Sequence, residues 1–344
     1  MEIAPGALDI RDRKPDIDGV SLKRSQFFAG DRVVVRSPEA ILATLDADGT
    51  LDGLPFMPEM LDWCGKPFHV QRRVEKTCVD ATSQLDSMRR FAAGDVVMLD
   101  GPRCDGGGHD GCMRGCRIFW KEAWLLPVDA SAAATPISGT EADRLRARLK
   151  VKADGKRYFC QSTELQRATV TFPGKQKPWA IRVALREIRN GDRSAFEILR
   201  LFGLWLSQRL QRRLAGDNWL RGPHKKTPNE TLGLQPGERV RIKSRNDVIA
   251  TLDTRRRSRG MVICHEMTRC CGGEAEVRYR VERIIDERSG VMRHFSDTVG
   301  LRPIRGRGTL GEECLCYDAL GDCPRGELMY WREIWLERVD PARQ

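Results

Sequence analysis

Apolar and polar positions alternate with a period of two in several short runs of this chain, most cleanly in Gly30–Ser37 (GDRVVVRS) and more loosely in His69–Glu75 (HVQRRVE). That period sends successive side chains to opposite faces, so both runs predict half-buried strands, separated by Asp/Gly turns such as Ala47-Asp48-Gly49. A GDxVxV opening followed by short strands predicts a small SH3-like barrel. In WKEAW (120–124) and WREIW (331–335) the pattern fits two geometries. On a strand, Trp120, Glu122 and Trp124 share one face; on a helix, the two tryptophans lie one turn apart. Either way the segment reads as a closing core element. Farther along, Ser194 and Glu197 match a capping box, which predicts a helix from about Ala195 to Leu214, ended by Gly216; a shorter helix is expected over Trp179–Arg189, ending near Gly191. Both carry broad apolar faces, expected to pack between the two barrels in preference to lying on a membrane surface.

The barrel pattern occurs twice. Residues 30–80 align without a gap on 237–287: GDRVVVRSPEAILATLD runs beside GERVRIKSRNDVIATLD, Cys64-Gly65 meets Cys271-Gly272, and VQRRVE meets VRYRVE. After a longer loop in the second copy, Cys112 meets Cys323 and FWKEAWL meets YWREIWL. Self-similarity at this scale indicates a duplicated unit. The expected fold is therefore α+β, with two SH3-like β-barrel modules at 30–127 and 236–339. Between them come a linker at 128–141, a basic helical insert at 142–220 and a second linker at 221–235. Tails at 1–29 and 340–344 flank the whole.

Composition sharpens this picture in two places. Overall usage is ordinary, with 40% hydrophobic and 31% charged residues in 344, which fits a folded protein of two or three domains. Charge, however, is concentrated: residues 144–226 hold 21 Lys or Arg against 6 Asp or Glu, so their +15 exceeds the +11 of the whole chain. Such a field attracts polyanions, and an anionic partner (nucleic acid, acidic protein or anionic lipid headgroups) is one expectation; a basic face packed on the acidic remainder is the other. The first residues offer no apolar run of signal-peptide type, and the apolar stretch Phe196–Leu206 is short and contains Glu197 and Arg200. A cytoplasmic location is expected.

The chain has 12 cysteines. In a reducing compartment these suit metal ligation better than structural disulfides. The first module places Cys64, Cys78, Cys104, Cys112 and Cys116 close in sequence, with His109 inside the glycine-rich loop RCDGGGHDGC. Glycines let a backbone wrap a small object, while thiolates and an imidazole suit zinc or an iron–sulfur cluster. Zinc is preferred, since four such ligands stabilise a small barrel outright. The second module offers Cys271, Cys314, Cys316 and Cys323, with Cys264 and Cys270 nearby, in a different arrangement, so a second site would not be equivalent. Glu59 and Glu266 recur beside the cysteines as carboxylates available for proton transfer.

The strings GLPFMPEMLDWCG, KTC, RCDGGGHDGC, FWKEAWL, YFCQSTELQRAT, KKTPNETLGLQPGERVRIKS and YWREIWLERV resemble a family of bacterial cysteine-rich proteins with two SH3-like-barrel modules and no assigned activity. The resemblance runs from about Gly30 to Val339. It implies that Cys64, Cys78, Cys104, Cys112, Cys116 and Cys160 are a recurring set. In the second half the chain departs from it. Where such proteins carry SDC and VVC, this one has Ser296-Asp297-Thr298 and Ile304-Arg305-Gly306, with Cys314 and Cys316 in an enlarged loop.

The sequence holds no Walker A loop, dinucleotide GxGxxG, nucleophile elbow or HExxH, and the glycine spacing of IRGRGTLG does not suit a phosphate loop. Thiol redox chemistry through Cys314-x-Cys316 or Cys112-x3-Cys116 lacks the CxxC pattern. What remains is a metal-binding protein with thiolate sites in tandem β modules, an enzyme or an accessory of a biosynthetic pathway. The alternative is a binder of nucleic acid or an acidic partner, with structural zinc only.

Overall fold

The computed structural model describes residues 27–79, 88–128, 137–172, 178–215, 220–263, 265–304 and 324–339. Its architecture is mixed α+β, built on two five-stranded antiparallel sheets. The first contains β1 (Arg32–Val35), β2 (Pro67–Arg73), β3 (Val96–Leu99), β4 (Trp120–Lys121) and β5 (Leu125–Pro127), in the order β4-β3-β2-β1-β5. The second contains β6 (Arg239–Ile242), β7 (Glu274–Arg280), β8 (Thr298–Pro303), β9 (Tyr330–Arg332) and β10 (Leu336–Arg338), in the order β9-β8-β7-β6-β10. Strand for strand the orders are the same. A register shift interrupts β2 between Val70 and Arg72, and the equivalent shift interrupts β7 between Val277 and Tyr279.

WKEAW and WREIW resolve into neither geometry expected of them alone. Each runs strand, one turn of 3-10 helix (Glu122–Trp124 or Glu333–Trp335), then strand. The turn carries the chain from one edge of its sheet to the other. Among the described residues no strand pairing joins those two edges.

Side chains repeat the correspondence. Buried indole N–H groups need an acceptor, and Trp124 Nε1 donates to Thr44 Oγ1 at 3.1 Å where Trp335 Nε1 donates to Thr251 Oγ1 at 3.0 Å. Arg73 pairs with Glu122 at 2.5 Å, and Arg280 pairs with Glu333 at 2.8 Å. Lys121 reaches Asp95 at 3.0 Å, as Arg332 reaches Asp297 at 2.5 Å. Helix α1 (Pro38–Leu42) is capped by Ser37; its counterpart after β6, Arg245–Ala250, is capped by Ser244.

The basic segment is not one body. Helices α2 (Gly139–Arg148) and α3 (Gln161–Ala168) bury Leu145, Leu165 and Ala168 in the core of the first sheet. Gln161 fixes α3 there: its Nε2 donates to the carbonyls of Pro55 and Phe119, and its Oε1 accepts from Phe119 N at 2.9 Å. Helix α4 (Pro178–Arg189) is held to β2 by Glu187, which lies buried 2.9 Å from Arg72 and 3.1 Å from Lys76. Helix α5 (Ala195–Ala215) begins at the expected box, with Ser194 Oγ accepting from Glu197 N at 3.2 Å and the Glu197 carboxylate accepting from Ser194 N at 2.8 Å. Its outer apolar face, however, is exposed rather than packed between the sheets. No described helix is long and apolar enough to cross a membrane.

Candidate functional site: a four-cysteine cleft

The loop from Cys104 to Cys116 folds tightly on itself. Cys104 N donates to Cys116 O at 2.8 Å, closing its base, and Gly106 O accepts from both His109 N and Gly111 N. Glycine is required at two places. Gly106 has φ +74°, and a Cβ there would sit 2.1 Å from Cys112 O; one on Gly108 would sit 2.8 Å from Pro58.

His109 and Glu59 lock this loop from beneath. His109 Nε2 lies 3.1 Å from Phe159 O, which only accepts, and Nδ1 lies 2.6 Å from Glu59 Oε1. Burial alone would push the Glu59 carboxyl up and the His109 imidazole down. The hydrogen bond and charge between them outweigh it, so Glu59 is held below the usual range and His109 above. Both ring nitrogens thus face oxygen atoms of Glu59 and Phe159 rather than the thiols. The same Glu59 oxygen accepts from Gly108 N at 3.1 Å and faces the Cys104 thiol at 3.7 Å; the other, Oε2, is buried without a partner.

Above the lock lies a small cleft of about 30 Å³, between the first sheet, the start of α3 and the second lobe. Cys104, Cys112, Cys116 and Cys160 all line it. Backbone amides point at three of these sulfurs. Ile285 N donates to Cys112 Sγ at 3.3 Å, Gly106 N bonds the Cys104 sulfur, and Ser162 and Thr163 N bond that of Cys160, which caps α3. Such donors, and a helix N-terminus, favour sulfur in its anionic form.

For three of these thiols burial opposes that form. Burial pushes Cys116 up to about 12 even with Arg114 and Arg325 beside it. Cys104 and Cys160 are raised by burial too, with Cys116 and Cys160 adding to the rise at Cys104, Cys160 to that at Cys116, and Cys112 to that at Cys160. Among the described residues no three Cys, His, Asp or Glu side chains converge on one point suited to a metal ion.

The far wall is an ion network. Arg114 lies 3.0 Å from Glu287 and 2.6 Å from Glu327; Arg325 lies 2.5 Å from Glu287 and 2.8 Å from Glu327. The two arginines hold Glu327 at about 2 despite its burial, which acts the other way. Ser162 Oγ donates to Glu287 at 3.2 Å, so the network ties the cysteine loop, α3 and the second lobe together.

Of the ligands expected from sequence, Cys104, Cys112 and Cys116 meet in the cleft. Cys64 is elsewhere, in the first core, its thiol directed at Met60 O and pushed up to about 12 by burial. Cys78 lies at the edge of the network, its carbonyl accepting from Arg325 Nη1 at 2.8 Å. Cys271 sits against the second core with its thiol directed at Met267 O, as Cys64 is in the first. Cys264, Cys314, Cys316 and Cys323 lie outside the described residues, as does the Glu266 side chain. Cys160 joins the cleft although far from the others in sequence; the signal for it was its place just before a polar helical run, QSTELQRA. Arg114 and Arg325 carried no such signal. Several bases of the insert meet internal acids: Lys150 with Asp48, Arg157 with Glu164, Arg186 with Glu75.

No protein family, curated protein or solved structure shows a significant match to this chain.

Proposed function

We propose that this protein is a metal-binding protein whose centre is the thiolate set Cys104, Cys112, Cys116 and Cys160. The observation that carries this is the convergence of four cysteines on one cleft, with amide donors already aimed at three of the sulfurs. A dication held by these four cysteines would favour their thiolate form, the thiol protons passing to solvent. Zinc satisfies four thiolates in one tetrahedron at about 2.3 Å. A reducing, cytoplasmic compartment would keep these thiols open for it. His109 and Glu59 serve as the brace under the ligand loop and not as ligands or a proton relay, since each occupies the other.

The scaffold is read as two SH3-like modules related by duplication. In support stand the common strand order, the common register shift, the 3-10 turn joining the edge strands, and the paired Trp–Thr, Arg–Glu and base–Asp contacts.

A second reading is an iron–sulfur cluster on the same four cysteines. N–H donors to sulfur tune such clusters. Elemental analysis of anaerobically purified protein, with Cys112→Ser and Cys160→Ser beside a Cys64→Ser control, tests both. One zinc per chain and no colour supports the first, and iron with a visible charge-transfer band supports the second. Metal-free protein from all preparations removes both.

A further inference from the structure

Helix α5 presents a ridge exposed among the described residues. Its inner side is fixed by Leu201, 2% exposed, whereas Leu199, Phe202, Leu206 and Leu210 look outward with Phe196 (74% exposed) and Leu214 (80%). These positions recur every three or four residues, so they form one stripe, about 27 Å long at 1.5 Å per residue. On the neighbouring α4, Ile181 and Leu185 extend it, each about three-fifths exposed. An apolar surface of this extent is unusual on a protein facing water on all sides.

The rim of the ridge is cationic. Arg200, Arg209 and Arg213 are exposed along it, and Arg209 lies over the Trp205 ring at 5.3 Å. The one acid in α5, Glu197, is turned back onto Ser194 at the cap. Charge decides between occupants. A second copy docking face to face would bring arginine against arginine. An anionic surface neutralises the rim while its apolar layer receives the ridge. The ridge is also convex, the outer side of a helix, which a bilayer accommodates without a preformed groove. Because α5 does not qualify as a membrane-spanning helix, it would lie in the plane of the surface.

We propose that α4 and α5 form a docking surface for an anionic lipid bilayer, with the α5 stripe immersed at the headgroup boundary and Arg200, Arg209 and Arg213 among the phosphates. The proposal is independent of the metal centre.

Vesicle flotation tests it with the full-length protein, using phosphatidylcholine vesicles and vesicles of equal parts phosphatidylcholine and phosphatidylglycerol. Wild type is expected to float with the mixed vesicles and far less with phosphatidylcholine alone. The double variant Leu199→Glu/Leu206→Glu, at exposed positions that leave the core intact, is expected to lose flotation while keeping its melting temperature. Arg200→Gln/Arg213→Gln should weaken binding to the mixed vesicles roughly fivefold per arginine and leave the weak phosphatidylcholine binding unchanged. Wild type that stays at the bottom of the gradient overturns the proposal, as does flotation indifferent to the double glutamate variant. A wild-type dimer in light scattering that those glutamates split, with no vesicle binding, assigns the face to a second copy instead.

Discussion

Ile285 N donates to Cys112 Sγ at 3.3 Å, so the second lobe supplies a hydrogen bond to a sulfur of the first. The neighbouring backbone bond, Met113 N to Arg283 O at 2.9 Å, holds the two segments in register. The candidate centre is thus built at a junction, and its integrity depends on how the lobes are joined.

The ion network is the chief polar join. Arg325 is 6% exposed and shares Glu287 with Arg114. Glu287→Gln leaves two buried guanidinium groups short of one carboxylate, and removing one partner of a buried pair costs about 3–5 kcal/mol. Denaturant unfolding should show that loss, with faster proteolysis of the cysteine loop before global unfolding.

His109 and Glu59 form the other brace, and both are buried. Glu59→Gln keeps the shape but removes the charge that raises the His109 imidazole. We expect about 3 kcal/mol of destabilisation and, with metal supplied, retention of thiolate binding at reduced affinity. A variant that loses stability without any change in affinity would assign the brace to folding alone.

The two lobes make the same kind of prediction twice. Glu122 meets Arg73, and Glu333 meets Arg280 as well as the amides of Leu232, Gly233 and Leu234. Each Glu→Gln change should destabilise, because each carboxylate accepts from an arginine and from a backbone amide, Phe27 N in the case of Glu122. The pairs belong to separate cores, so the double variant should equal the sum of the singles to within about 0.5 kcal/mol. A larger coupling energy would mean that the sheets do not behave as separate units.

Asp192 sets a pH dependence. Its Oδ1 accepts from Arg73 N at 2.7 Å, but its Oδ2 is buried without a partner. Burial raises its carboxyl from 3.8 to about 6, with the Arg73 amide and Arg72 pulling down and Glu75 and Glu187 pushing further up. A raised carboxyl keeps its proton longer in the folded protein than in the unfolded chain. Its contribution therefore falls as pH rises from 3.8 to about 6, by on the order of 2–3 kcal/mol. Asp192→Asn should flatten stability across that window and raise it at neutral pH, as urea unfolding at several pH values would show.

Much of the scaffold was legible because its period is local. GERVRIKS alternates and GDRVVVRS does so apart from Val34, and each became an inner strand. The edge element was ambiguous since a 3-10 turn inside WKEAW compresses the strand spacing, so period two and period 3.6 both fitted part of it. His109 stands beside the cysteines in the sequence, but its contacts with Glu59 and Phe159 O appear only in the fold. Cys160 entered only through the resemblance, because it lies far along the chain and its sulfur joins the others once α3 docks through Gln161. The apolar stripe of α5 has the same periodicity whether it faces a core or an exterior surface, and only the folded arrangement separates the two.

The most direct test of the central claim is the metal content of anaerobically purified Cys160→Ser against wild type and Cys64→Ser. The account predicts about one metal centre per chain in wild type and in Cys64→Ser, and loss of most of it in Cys160→Ser. Equal metal in all three, or loss confined to Cys64→Ser, would contradict the four-cysteine centre.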